Sequence, residues 1–289
     1  MEALFRIDSD TCNRDGICKK SCPVDVIDIL PDGTPHPSDD AEEICIRCGH
    51  CLAVCPTGAF YHRDMVREKC SPVRSEPQLT PEQCEYFLRQ RRSIRAYKEK
   101  PVPRNLLQKL IETARYAPTG HNSQKVNWRV CGNREDLQMF SNITVDWMRW
   151  VIDMLPERAA ELHFERRVKQ FESGVDGILR GAPILIVAHG EKETPALPPG
   201  YVPEMDNQAA PPDYAIALTY LELAATSLGL GTCWAGYVYK AANLYPPMHK
   251  ALDLPEGHQC FGAMMVGYPK YRYKLLPLRN PPVISWKME

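Results

Sequence analysis

The apolar positions of this chain predict a second half that is built from helices and strands. Residues 103–116 carry Leu106, Leu107, Leu110, Ile111 and Ala114 at helical spacing, which predicts an amphipathic helix. Residues 213–229 are apolar nearly all round, which predicts a buried helix that ends at Gly229. The runs at 126–132, 182–190 and 260–268 predict strands. We therefore expect an α+β or α/β domain, with a sheet packed by helices.

Two polar stretches interrupt the apolar patterns. Residues 63–81 contain three prolines and no apolar periodicity, which predicts a linker. A helix is expected to begin there, because Thr80, Pro81 and Gln83 form a capping-box sequence. Residues 191–212 are rich in proline and predict a long loop, which is either a lid or a surface insertion.

Composition narrows the class of protein. The 289 residues are 44% hydrophobic and 25% charged, with a net charge of −1, so no global field recruits nucleic acid or an anionic membrane. There is no apolar run of transmembrane length, and the first ten residues lack the features of a signal peptide. We expect a cytoplasmic protein that has neither a nucleic-acid nor a membrane partner.

The cysteines point to metal. Seven of the twelve lie between residues 12 and 55, and clustered cysteines in a cytosolic protein are typical of metal sites. "CNRDGICKKSCP" (12–23) and "CIRCGHCLAVCP" (45–56) align at an offset of 33 residues. This internal repeat places Asp15 where the second copy has Cys48.

The second copy reads C-x2-C-x2-C-x3-C-P, the bacterial ferredoxin pattern, in which the fourth cysteine ligates the other cluster. One [4Fe–4S] cluster is therefore predicted at Cys22, Cys45, Cys48 and Cys51. The second is predicted at Cys12, Asp15, Cys18 and Cys55. Zinc is the alternative, but it needs neither the third close cysteine nor the Cys-Pro pair.

Asp15 leaves three interpretations open. Its carboxylate can bind the fourth iron, since oxygen ligands are compatible with iron. The iron can instead be water-bound and labile, or lost to leave a [3Fe–4S] cluster. The site can also be empty, although the other three ligands are all present.

The second half carries several further motifs in a fixed order. These are "RRSIRAY" (91–97), "APTGHNSQ" (117–124), "LGLGTCWAG" (228–236), "MMVGYP" (264–269) and "PLRNPP" (277–282). Together they resemble the FMN-dependent nitroreductase family over residues 82–289. The whole chain resembles the subgroup with a two-cluster ferredoxin domain fused in front, which gives domains at 1–62 and 82–289 with the linker 63–81 between them.

The resemblance implies an α+β fold and a homodimer with FMN at the subunit interface. It assigns the FMN phosphate and ribityl chain to Arg91, Arg92, Ser93, Arg95 and Arg279. It assigns the contacts from the partner subunit to Pro118, Thr119, Gly120, Asn122 and Gln124, and backbone donors near the flavin ring to Ala235 and Gly236. Lys125 stands where the family usually has proline, and it either faces the flavin or points to solvent.

No side-chain nucleophile or acid–base pair is evident, which fits cofactor chemistry. We expect electrons to pass from an external donor, a ferredoxin or NAD(P)H, through the clusters to FMN and then to a small organic acceptor. Nitroaromatics, quinones and activated alkenes are the candidate acceptors. An electron-transfer module or a redox sensor serving a protein partner is the alternative function. Trp147, Trp150 and Tyr201 are candidate pocket residues, with core or lid packing as the alternative role for the tryptophans.

Overall fold

A computed structural model describes residues 3–192 and 212–288. The chain forms two compact units. The first unit comprises Met1–Gln78 together with Thr119–Gln124, and the second comprises Leu79–Pro118 together with Lys125–Glu289. None of the helices in the described ranges is both long enough and apolar enough to cross a bilayer.

The first unit contains short elements only. In chain order they are β1 (Phe5–Ile7), α1 (Ile17–Lys20), β2 (Ile27–Ile29), β3 (Pro35–Pro37), α2 (Ala41–Ile44), α3 (His50–Val54) and β4 (Phe60–His62). Strand β1 pairs antiparallel with β4, and β2 pairs antiparallel with β3. Its small core is built from Leu4, Phe5, Val26, Ile27, Leu52 and Phe60, with Cys18 buried among them.

The 33-residue sequence repeat is also a repeat of backbone structure. Helices α1 and α3 begin 33 positions apart, and so do strands β2 and β4. Arg14 and Arg47 both adopt left-handed φ angles, of 56° and 52°. Gly16 and Gly49 follow them with φ of 66° and 74° at the starts of the two helices. The two loops therefore present their side chains from the same backbone conformation.

The second unit is an α+β fold, as the sequence predicts. Its elements are α4 (Pro81–Gln90), α5 (Arg104–Ala114), β5 (Asn127–Cys131), α6 (Arg134–Met154), α7 (Pro156–Glu161), α8 (Phe164–Glu172), β6 (Ile184–Glu191), α9 (Pro212–Ser227), β7 (Gly231–Trp234), α10 (Gly236–Leu244), α11 (Pro246–Leu252) and β8 (His258–Gly267). The four strands form one antiparallel sheet in the order β5-β6-β8-β7.

Helices cover both faces of this sheet. Leu185 and Val187 of β6 pack in the cluster formed with α6 and α10, whereas Ile184 and Ile186 pack in the cluster formed with α5 and α9. Strand β6 is therefore buried along almost its whole length. Burial on both faces explains why the sequence of β6 is a continuous apolar run rather than an alternating one.

The predicted elements are confirmed where they can be compared. Thr80 Oγ1 accepts the Gln83 N–H and the Gln83 side chain accepts the Thr80 N–H, which completes the capping box of α4. Gly229 has φ of 71° just after α9, and Leu230 N–H donates to Ala225 O at 2.9 Å. The 21-residue helix α6 was not predicted from the sequence. The loop predicted at 191–212, as a lid or a surface insertion, lies almost entirely outside the described residues, and so does Tyr201.

The irregular segment 91–97 is fastened between the ends of β7 and β8. Ile94 N–H donates to Thr232 O at 2.8 Å, and Lys98 N–H donates to Tyr268 O at 2.9 Å. The Tyr97 hydroxyl donates to Ile94 O at 2.7 Å. This close approach requires Gly231, because a Cβ there would lie 2.3 Å from Ile94 Cγ1 and 2.9 Å from Pro269 Cγ.

Replacing Gly231 with Ala should therefore destabilise the second unit. A methyl group forced against Ile94 is overpacking, which lowers the free energy of unfolding by about 1–3 kcal/mol. The measurement is the thermal unfolding midpoint followed by circular dichroism. Gly236→Ala is the matched control, since a Cβ at Gly236 meets nothing within 4 Å. Equal midpoints for the two variants would contradict the prediction.

Candidate cofactor sites

Four cysteines of the first unit surround one cavity. They are Cys22, Cys45, Cys48 and Cys51, the set that the sequence assigns to one cluster. Apolar side chains also line it, among them Phe5 of β1 and Ile27 of β2, together with His50 and His62. A site of this composition, with four sulfur donors in an apolar enclosure, fits an iron–sulfur cluster.

The ionisation of these thiols depends on their burial. The pKa of the Cys51 thiol is raised to about 12, mainly by burial and to a smaller extent by the charges of Cys48, Cys22 and Cys45. Protonated thiols are therefore favoured at Cys51 in the absence of metal. Iron binding replaces that proton with a metal–sulfur bond, so the buried thiol is well suited to be a ligand and poorly suited to be a free nucleophile.

The second cysteine set is also brought together. Burial raises the pKa of the Cys18 thiol, and the nearby Cys12 and Cys55 thiolates add to that effect. Burial also raises the pKa of Cys55, but hydrogen bonds from Thr57 and from neighbouring backbone N–H groups outweigh it, so the net shift is downward. The Cys55 Sγ lies 3.6 Å from Thr57 Oγ1.

Asp15 has a structural contact of its own. Its Oδ1 accepts the backbone N–H of Ile17 at 3.0 Å, at the start of α1. This contact uses one carboxylate oxygen and is compatible with iron bound to the other. Four cysteines suit zinc as well as iron, and the ferredoxin spacing with its Cys-Pro pairs favours the cluster.

The sequence interpretation missed His62. Its Nε2 lies 3.8 Å from Cys45 Sγ, and the ring is buried at the end of β4. Burial lowers the pKa of His62. In the repeat, His62 aligns with Ile29 at the same offset of 33 residues, so the alignment marks a position where the two copies differ but assigns it no role. His50, in contrast, is exposed at the start of α3.

The segment Thr119–Gln124 belongs to the first unit, although its predicted role is in flavin binding. Asn122 Nδ2 donates to Ile46 O and to Arg47 O, at 3.1 Å each. The backbone is strained here, since Asn122 and Gln124 have φ of 53° and 50°. Gln124 N–H donates to Thr119 Oγ1 at 3.0 Å. Gly120 begins the 3-10 turn that contains Asn122, and Pro118 is exposed.

A cavity in the second unit gathers three of the residues predicted to bind FMN. Arg95, Ala235 and Gly236 line it together with Cys233. The sequence interpretation missed several further lining residues, among them Phe164, Arg180, Tyr237, Tyr239 and Lys240. All the charged side chains that line this cavity are basic, a composition that suits an anionic group such as a phosphate.

The other predicted phosphate residues lie in different settings. Arg91 Nη1 is paired with Glu222 Oε1 at 2.9 Å, and the Glu222 side chain is only 9% exposed. Arg92 Nε is buried and has no hydrogen-bond partner in the described part of the chain. Ser93 forms an isolated parallel bridge with Thr232. Arg279 is exposed in the C-terminal segment.

Four other residues considered in the sequence analysis or lining the cavity are either buried in the core or exposed. Burial raises the pKa of the Cys233 thiol, although the charges of Arg95 and Arg180 oppose this shift. Because the thiol is favoured over the thiolate, Cys233 is poorly suited to be a nucleophile. Lys125 is exposed, with its Nζ 3.8 Å from Glu191 Oε2. Trp147 is buried in the core against Phe164, whereas Trp150 is 41% exposed.

Comparison with known proteins supports the resemblance of both the N-terminal and the C-terminal region. Residues 88–268 match the model of the nitroreductase family, and residues 4–56 match the 4Fe–4S dicluster domain. The chain is 25% identical, over 182 residues, to a protein of Methanothermobacter thermautotrophicus provisionally named NADH dehydrogenase/NAD(P)H nitroreductase. That alignment covers 63% of this chain and 75% of the relative.

Two further likenesses complete the comparison. A seven-iron ferredoxin of Hydrogenibacillus schlegelii is 40% identical over 60 residues, which cover 19% of this chain and 67% of the ferredoxin. The crystal structure of a Bacteroides fragilis nitroreductase with bound FMN superposes with a TM-score of 0.54 at 22% identity. It covers 70% of this chain and 98% of that structure, and it establishes the likeness of fold.

The family match covers more than half of the chain and coincides with the cavity at Arg95, Ala235 and Gly236. The dicluster match covers the repeated cysteine loops. The chain therefore belongs to the nitroreductase family of oxidoreductases and carries a 4Fe–4S dicluster domain ahead of its nitroreductase domain.

Proposed function

We propose that this oxidoreductase is an iron–sulfur flavoprotein that passes electrons from an external one-electron donor, through two clusters, to FMN and on to a small organic acceptor. FMN supplies the conversion between single electrons and a hydride equivalent. Nitroaromatics, quinones and activated alkenes are the acceptor classes that this chemistry serves. The assembly is a homodimer, in which the segment Thr119–Gln124 meets the flavin of the partner subunit.

The contact of Asn122 carries this proposal. Its side-chain amide donates to Ile46 O and Arg47 O, which lie between the cluster ligands Cys45 and Cys48. The first unit thus contains a cluster loop and a segment predicted to contact flavin, joined by two hydrogen bonds of 3.1 Å. Such a contact is expected where electrons leave a cluster for a flavin.

The cavity of the second unit supports FMN as the cofactor. Its basic side chains, Arg95, Arg180 and Lys240, suit the phosphate. In the same segment as Arg95, the buried Nε of Arg92 has no acceptor among the described residues. Gly236 leaves open space beside the backbone at the start of α10, so a flat ring can approach its N–H. The bound FMN of the Bacteroides fragilis structure agrees with this choice.

The dicluster domain is proposed to hold one [4Fe–4S] cluster at Cys22, Cys45, Cys48 and Cys51. The site of Asp15 is proposed to hold a [3Fe–4S] cluster, or a fourth iron that is labile or bound through oxygen. The seven-iron ferredoxin of Hydrogenibacillus schlegelii supports the three-iron form, since seven irons divide into one cluster of four and one of three.

Turnover tests the proposal as a whole. Anaerobically purified protein is reduced with dithionite and mixed with a nitroaromatic, a quinone or an activated alkene, and flavin reoxidation is followed by absorbance. At least one acceptor should reoxidise the flavin faster than dioxygen or an oxidised ferredoxin does. Reoxidation by ferredoxin alone would instead assign the protein to electron transfer between proteins.

Replacing Arg95 with Gln should weaken FMN binding. Loss of one charge-assisted hydrogen bond costs about 1.5–3 kcal/mol, which raises the Kd for FMN by about 10- to 150-fold. Titration of flavin-free protein with FMN, followed by quenching of flavin fluorescence, measures the change. Arg115→Gln is the control, because Arg115 is an exposed residue of the second unit paired with Glu112. An unchanged Kd in Arg95→Gln would remove Arg95 from the site.

Replacing Asp15 with Cys should complete the cysteine set and add iron. The iron content should rise from about seven to about eight per chain, and the EPR signal of an oxidised three-iron cluster should disappear. Asp15→Asn tests the structural role separately, since its amide oxygen can still accept the Ile17 N–H. Asp39→Cys is the control for an added thiol on the surface of the same unit.

Eight irons in the unmodified protein, without a three-iron signal, would assign Asp15 as an oxygen ligand instead. Equal iron content and equal spectra in the unmodified protein and in Asp15→Cys would show that position 15 is not a ligand.

A further inference from the structure

His62 completes a closed cycle of hydrogen bonds around Cys45. Arg47 N–H donates to Cys45 Sγ at 3.4 Å, and His62 Nε2 lies 3.8 Å from the same sulfur. Arg47 Nε donates to Asp64 Oδ2 at 2.8 Å, and Asp64 N–H donates to His62 Nδ1 at 3.1 Å. Asp64 therefore binds both residues that contact the sulfur, Arg47 through its carboxylate and His62 through its backbone N–H.

The cycle fixes which ring nitrogen carries the proton. Since Nδ1 accepts the Asp64 N–H, it has no hydrogen of its own. The hydrogen of the neutral ring is then on Nε2, directed at Cys45 Sγ. Burial of the ring, which is 6% exposed, keeps water from competing for this donor. Its place at the end of β4, opposite Phe5 of β1, fixes the position of the ring.

We infer that His62 is a positioning residue that raises the reduction potential of the cluster held by Cys45, through an N–H···S hydrogen bond to that ligand. This inference rests on the ligand set proposed above. Reduction adds one electron to the cluster and makes its thiolates more electron-rich. A donor at Cys45 stabilises the reduced form more than the oxidised form, and no proton has to move.

The internal repeat supplies the comparison that supports this inference. The residues that match Arg47, His62 and Asp64 in the first copy are Arg14, Ile29 and Pro31. Ile29 is 41% exposed and carries no donor, and Pro31 lacks both a backbone N–H and a carboxylate. The cycle is therefore built around one of the two matched ligands, Cys45, and has no equivalent at Cys12.

The potentials of the two clusters test the inference. His62→Phe keeps the size and apolar packing of the ring but removes the donor. In an EPR-monitored redox titration, the midpoint potential of one cluster should fall by about 59 mV. This shift corresponds to an equilibrium constant for reduction that is about tenfold smaller. The second cluster should keep its potential. His62→Gln, which can place an amide N–H near the sulfur, should restore part of the shift.

The matched control is His36→Phe, since His36 is an exposed histidine of the same unit whose Nδ1 contacts Pro37 O. Pulsed EPR on protein labelled with 15N-histidine gives a second readout. The reduced cluster should show a weak nitrogen coupling that His62→Phe loses and His36→Phe retains.

Equal potentials in His62→Phe and the unmodified protein would overturn the inference, as would equal shifts of both clusters. If His62→Phe loses its cluster, Asp64→Ala decides the question: it keeps the histidine and its backbone partner but removes the contact with Arg47. Its cluster should keep the nitrogen coupling, and absence of the coupling would overturn the inference. These titrations need no acceptor, so their outcome is separate from that of the turnover experiment.

Discussion

Burial of the Cys18 and Cys51 thiols is the constraint on which the first unit depends. Its apolar core consists of a few side chains from short strands, and Cys18 is part of that core. A protonated thiol packs there as a small apolar group, whereas an uncompensated thiolate is costly, as the pKa of about 12 at Cys51 reflects. Bound iron would supply the compensation, so we expect cluster binding and folding of this unit to be coupled.

In the second unit, the arginine-rich segment 91–97 is held in place although it forms no helix or strand of its own. The segment 91–97 is held by Ile94 N–H, which donates to Thr232 O of β7, and by the following Lys98 N–H, which donates to Tyr268 O just after β8. Gly231 permits the contact by having no side chain. The cavity beside Arg95 is then completed by α8 and α10, which come from distant parts of the sequence.

Local signals in the sequence predicted much of this arrangement. The capping box at Thr80 and the apolar run of β6 are properties of a few consecutive residues, and both predictions were confirmed. The cysteine repeat predicted the grouping of Cys22 with the second loop. In contrast, the contact of Asn122 with Ile46 joins residues 76 positions apart, and it depends on how the chain folds back.

His62 and Arg180 were missed for related physical reasons. A single histidine in a short strand gives no periodic signal, and its contact with Cys45 follows from the pairing of β4 with β1. Arg180 has a left-handed φ of 58° in an irregular segment, so no pattern of apolar positions indicates which way it faces. Helix α6 was missed although its buried positions recur at helical spacing, at Leu137, Phe140, Thr144, Met148 and Val151. The helical spacing of these residues was therefore present in the sequence.

The duplicated backbone makes the difference between the two cluster sites a matter of side chains. Arg14 and Arg47 share one left-handed conformation, and the glycines that follow, Gly16 and Gly49, share another. Differences between the two potentials are therefore expected to come from side chains that the repeat does not preserve, among them Asp15 in place of Cys48 at the ligand positions and Ile29 in place of His62. Under the proposed function, such a difference would give electrons a preferred direction between the two clusters without any change of the fold.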